Sequence, residues 1–154
     1  MKKLIFLLVF GMLFAACKDE QSLQEYMTKS WETSHINISM PTYQKSDSSY
    51  VYEDDFLNNP PRIAQSKYNK DGSFFAWYVD AKGVKQEETL GKWNVKGDSL
   101  YIQFEYNGST SKISYGIKRT SEGFIGTSKN DWDQDGEFDD LLVMKTKQIN
   151  LEKE

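Results

Sequence analysis

The feature that most restricts this chain is a two-residue alternation, cut at short intervals by hairpin signals. Phe75, Trp77 and Val79 share one face of a segment, and Phe74, Ala76 and Tyr78 share the other. Leu100, Ile102 and Phe104 repeat the pattern against Gln103 and Glu105, as do Ile113, Tyr115 and Ile117. Period two marks a strand, whose successive side chains point to opposite sides. Between the segments stand Asn69-Lys70-Asp71-Gly72, Ala81-Lys82-Gly83, Lys96-Gly97-Asp98 and Asn107-Gly108. Asp-Gly and Asn-Gly suit the left-handed positions of tight hairpins. The chain from residue 62 onward therefore reads as a meander. Strands are expected over 63–69, 73–80 and 84–95, the last either one long strand or a strand with a bulge near Gly91, and the final two over 124–129 and 141–147. About eight short strands joined by hairpins, without long crossovers, predict an up-and-down barrel rather than a sandwich.

Ahead of the meander, Ser22-Leu23-Gln24-Glu25 has the serine-to-glutamate spacing of a capping box. A short helix over about 22–29 is expected to close one end of the domain. Ile36, Ile38 and Met40 then alternate with His35, Asn37 and Ser39 until Pro41 stops the strand. Residues 42–61 are polar and loop-like, with Tyr50-Val51-Tyr52 as a short strand inside and Asn59-Pro60-Pro61 as a firm break. One domain over 22–148 and a charged tail over 149–154 follow.

The first sixteen residues belong to a different category. Lys2 and Lys3 precede an apolar run from Leu4 to Phe14, then Ala15, Ala16 and Cys17. A basic start, a short apolar stretch and small residues before a cut make a secretory signal. The run of about 11 residues is too short to cross a bilayer core that needs roughly 20. Leu13-Phe14-Ala15-Ala16-Cys17 resembles a bacterial lipobox, in which cleavage leaves an acylated cysteine as the first mature residue. Lipidated Cys17 and an acidic tether over 17–21 would hold the domain on a membrane. Lys18-Asp19-Glu20 resembles the surface-export tag of lipoproteins from Bacteroidota. The expected location is the outer membrane, on its periplasmic or external side.

Loss of two lysines with the leader moves the formal charge from −4 to −6. An acidic domain carries no footprint for nucleic acid, and anionic lipid head groups would repel it. Cys17 is the only cysteine, so the mature domain has neither a disulfide nor thiol chemistry. Its stability must come from the core, for which four tryptophans and many tyrosines and phenylalanines are available.

Several segments resemble the lipocalin-like domains of Bacteroidota lipoproteins. They are Gly91-Lys92-Trp93-Asn94-Val95-Lys96-Gly97-Asp98-Ser99-Leu100, the hairpin Asp71-Gly72-Ser73-Phe74, and Trp31 just after a short helix. Lys29 departs from the pattern, which has glycine at that place. The resemblance spans about 23–147. It implies an eight-stranded antiparallel barrel with an internal cavity open at one end, often for small apolar ligands.

The densest chemistry lies in Asp131-Trp132-Asp133-Gln134-Asp135-Gly136-Glu137-Phe138-Asp139-Asp140. Acids at alternate positions followed by glycine match the start of an EF-hand-type calcium loop. Asp131, Asp133 and Asp135 would converge on one point and Gly136 would permit the sharp turn. Glu137 would offer its backbone carbonyl, and Asp139 would stand at the ninth position. Leu142 occupies the twelfth, where a glutamate is expected, so Asp140, Asp54 or Asp55 would have to complete the shell. The expected role is structural, with calcium pinning a long loop. A solvated acidic hairpin is the plain alternative.

His35 is the only histidine and has no nucleophile motif beside it. Glu87-Glu88 and Glu53-Asp54-Asp55 read as solvated acids rather than an acid pair for sugar cleavage. The chain is not expected to be an enzyme. Phe75, Trp77, Trp93, Phe104 and Tyr115 are candidates to line a ligand cavity, or simply to fill the barrel. Two functions follow. One is a lipid-anchored binding module for a small apolar ligand. The other is a structural or protein-interaction subunit of a cell-envelope assembly, with a filled barrel and an envelope protein as partner.

Overall fold

A β-meander with one consistently apolar face can hide that face by curling until its first and last strands meet. The computed structural model, which describes residues 21–57, 61–106 and 108–151, has this arrangement. The signal segment, Cys17 and most of the acidic tether lie outside the described residues. One helix, α1 (Leu23–Met27), precedes β1 (Ser30–Met40), β2 (Tyr50–Asp54), β3 (Arg62–Tyr68), β4 (Ser73–Asp80) and β5 (Lys85–Lys96). Then come β6 (Ser99–Tyr106), β7 (Ser109–Arg119), β8 (Phe124–Asn130) and β9 (Asp140–Ile149). Neighbours in sequence pair antiparallel from β3 to β9, and β1 pairs with both β3 and β9. Eight strands therefore form a closed antiparallel barrel with a short N-terminal helix, the architecture expected from the hairpin spacing.

The ninth strand, β2, is a local departure. β1 pairs with β3 only through Ser30–Thr33; its far half, Ile36–Met40, pairs with β2 instead. β2 and β3 thus run along the same side of β1, β2 ending at Asp54 and β3 starting at Arg62. Of the Asn59-Pro60-Pro61 break anticipated above, Asn59 and Pro60 lie outside the described residues. β1 itself carries an irregularity between Thr33 and His35 in its pairing with β9. The irregularity in β5 lies opposite Trp77, around Glu87 with φ +51°, and not near Gly91. Gly91 answers a different need. A side chain there would run into the Gln103 carbonyl, so glycine lets β5 and β6 approach.

One end of the barrel is closed. Ser22 caps α1, its hydroxyl accepting from Glu25 N at 3.2 Å. The helix drops Met27 into the barrel, fully buried against Trp31, Phe124, Leu100 and Trp93. Trp31 donates its indole N–H to the Met27 carbonyl (3.2 Å) and meets Phe124 edge to face at 5.0 Å. Trp93 donates to the Asn69 carbonyl at 2.9 Å. Each such aromatic contributes about 1.5–3 kcal/mol from burial alone, with its polar edge satisfied. The helix is one turn shorter than the sequence pattern suggests, because Lys29 already hydrogen-bonds into β3 through Tyr68 N.

Candidate functional site

The opposite end gathers the loops after β1, β2, β4, β6 and β8, and between it and the aromatic plug lies a cavity of about 320 Å³. Its wall comes from alternate residues of nearly every strand. Phe74, Ala76 and Tyr78 of β4 face it, as do Ile102 and Phe104 of β6, Ile113 and Tyr115 of β7 and Met144 of β9. Ala76, Phe104, Ile113, Tyr115 and Met144 all point inward yet are only part-buried. Their residual exposure is cavity wall.

Of the five aromatic candidates, Trp77, Phe104 and Tyr115 line the cavity. Trp93 lies below it, in the plug. Phe75 stands on the outer wall. Trp77 is buried and borders both the cavity and the outer groove that Phe75 lines, with Lys85 4.2 Å above its ring and Gln65 3.1 Å from its indole N–H. In β4 both faces are apolar, so alternation distinguishes two sets without telling which one is inside.

Phe56 is a wall residue that sequence reasoning missed. It sits in the break between β2 and β3, is 5% exposed, and adopts φ +60°. Such a conformation is strained for a side-chain-bearing residue and persists only where the surroundings hold it. Asp54 supplies the hold. Its carboxylate accepts from Phe56 N (2.7 Å), the Arg62 guanidinium (3.0 Å) and the Tyr52 hydroxyl (3.2 Å). Partial burial alone would raise the Asp54 pKa, but these bonds outweigh it and hold the carboxyl below its ordinary value. Arg62 also lies over the Tyr78 ring at 4.5 Å, so Asp54, Arg62, Phe56 and Tyr78 form one rim cluster. The available signal was a pair of large apolar residues, Phe56 and Leu57, set between Asp54-Asp55 and Pro60-Pro61.

Two phenols stand in the lower half of the cavity. Tyr68 is 3% exposed and hydrogen-bonded to Ser66; burial, with Tyr115 nearby, drives its pKa far upward against that bond. Tyr115 is pushed up to about 12 by burial, and no group among the described residues hydrogen-bonds its hydroxyl. Both remain protonated at any physiological pH. Among the described residues the one ionisable carboxyl on the wall is Glu87, exposed at the mouth, and no lysine, arginine or histidine lines the cavity.

The acidic loop joins β8 to β9 at the same end. Asp131, Asp133 and Asp140 bring one carboxylate oxygen each to within 4.8 Å of one another. Asp140 is 1% exposed and accepts from Trp132 N (2.7 Å) and Asp133 N (3.3 Å). Asp131 accepts from the Asp135 and Gly136 amides, both at 3.0 Å. Asp133 accepts from Gln44 N at 2.7 Å, tying this loop to the one after β1. Asp135 and Glu137 turn instead to the Thr42 hydroxyl, at 3.3 and 3.4 Å. Asp139 keeps a buried oxygen without a hydrogen-bond partner. Among the described residues none of these acids pairs with a cation. Gly136 takes φ +97°, the sharp turn its position anticipated.

Other acids are placed elsewhere. His35 lies 3.4 Å from Glu53 on the outside, where β1 meets β2. Glu88 pairs with Lys85 at 2.9 Å. Among the described residues no helix is long and apolar enough to cross a membrane. Comparison with known proteins finds no matching family model, no matching curated protein and no matching solved structure.

Proposed function

We propose that this chain is a lipid-anchored cell-envelope lipoprotein, lipocalin-like in kind, whose barrel holds a small apolar ligand. The observation that carries the reading is the cavity. It lies in the size range of small-molecule sites and is walled mainly by aromatic and aliphatic side chains. A barrel of this size can be filled by its own side chains. Here Ala76, Thr89 and Gly126 stand at inward positions where larger residues would close the space, and Phe56 is held over the mouth at the cost of backbone strain. The anchor rests on the Lys2 to Cys17 pattern. Residue 21 leads directly into α1 at the closed end, so a lipid on Cys17 would leave the mouth facing away from the bilayer.

The acidic loop is assigned to calcium, held by Asp131, Asp133 and Asp140. Three hard carboxylates with no nitrogen or sulfur donor suit that ion. The ion would offset a cluster that has no cationic partner and would fasten the loop at the rim. Asp135 and Glu137, which bind Thr42, would brace the loop rather than the ion.

Native mass spectrometry of the protein taken from its own envelope without chelator tests both parts. The expected spectrum carries one calcium and an organic adduct. Ala76→Phe, and independently Thr89→Phe, should remove the organic mass with the calcium retained. A bare wild-type protein that takes up neither would overturn the reading. A second reading, an interaction subunit, draws on the outer wall, where Phe75, Trp77 and Val79 form a groove with Leu151. It predicts co-purification of an envelope protein that Trp77→Ala releases.

A further inference from the structure

The cavity has a chemical bias beyond apolarity. Among the described residues its wall carries no cation, its one carboxyl stands at the mouth, and its inner half presents the Tyr115 hydroxyl without a hydrogen-bond partner. A buried anion without a partner keeps its full desolvation penalty. A neutral group that reaches the phenol loses little, because one hydrogen bond with water is replaced by one with Tyr115. The mouth gives an acid no better seat. Arg62 is already bound to Asp54 at 3.0 Å and stacked on Tyr78, and the adjoining groove sets two acids, Asp80 and Glu87, beside Arg62 and Lys82 in its lining.

We propose that the barrel selects neutral amphiphiles, seating an apolar body in the cavity with one uncharged polar group on the Tyr115 hydroxyl, and turns away carboxylates and sulfonates of the same shape. The inference rests on the ligand-binding reading above and narrows it to one class. Tyr115 is a binding and specificity residue; Tyr68, already engaged by Ser66, shapes the floor.

Matched probes test it on the purified full-length protein at neutral pH. N-phenylnaphthylamine and anilinonaphthalenesulfonate share one ring body and differ by a sulfonate. Dodecanol and dodecanoate differ by an ionised head. Each neutral member should bind at least about tenfold more tightly than its anionic twin, read by probe fluorescence and tryptophan quenching. Tyr115→Phe should weaken dodecanol about fivefold while leaving naphthalene, which has nothing to bond, unchanged. Equal or tighter binding of the anionic twins would overturn the selectivity and leave ligand binding intact. Failure of all probes would overturn both. A Tyr115→Phe variant that loses naphthalene along with dodecanol, or loses neither, would remove Tyr115 from the site, and the wild-type twins still decide the charge preference.

Discussion

The two ends of the barrel use the same residue types for opposite purposes. At the closed end Met27, Trp31, Trp93 and Phe124 interlock, and each indole N–H there has a carbonyl to bond. At the open end Phe56, Tyr78, Phe104 and Tyr115 surround empty space, and Tyr115 leaves its hydroxyl free among the described residues. Packing to the density of a crystal stabilises; leaving a hole sacrifices contacts and makes room for a guest. The contrast teaches that tight packing and open space are separated along the barrel axis, so each can be changed with limited effect on the other.

The sharpest break of that contrast is Trp31→Ala. It removes a fully buried ring from the plug and should destabilise by about 3–5 kcal/mol, measured by urea unfolding. At the open end, Phe56→Ala should cost only about 2 kcal/mol, since the lost contacts border existing space and part of the backbone strain is relieved. Its larger effect should be on ligand exchange, which stopped-flow fluorescence would show as faster dissociation. A stability loss equal to that of Trp31→Ala would make the open end as much a core as the closed one.

Calcium should act at the open end alone. At ten times its dissociation constant it should add about 1.4 kcal/mol to stability, seen as a rise in melting temperature. Asp131→Asn with Asp133→Asn should abolish that rise. An undiminished rise in the double variant would place the ion elsewhere. Smallest is the Asp54 clamp. Its folded pKa lies below the ordinary 3.8, so its stabilisation is present above that value and disappears as pH falls through the folded value. Asp54→Asn should cost about 1 kcal/mol and flatten this part of the acid unfolding curve.

Much of the closed end is legible in the residues. The capping serine, Trp31 after the helix and the Lys96-Gly97-Asp98 turn each report local geometry, and local geometry is what a short window of sequence encodes. The rim is harder to read. The acids of the loop announce themselves by spacing, yet Asp140 joins Asp131 and Asp133 while Asp135 and Glu137 bind Thr42. That exchange depends on the loop after β1, more than ninety positions away in the chain.

By itself the sequence determined the antiparallel meander, its turns, the helix cap and the acidic composition of one rim loop, because alternation, Asp-Gly pairs and capping residues act over a few positions. Tertiary structure alone decided that β1 is shared between β2 and β3, that Phe74 and Tyr78 rather than Phe75 face inward, and that Phe56 folds over the mouth. An alternating strand with apolar residues on both faces has two equivalent sides until the sheet curls, and only the closed barrel makes one of them the inside.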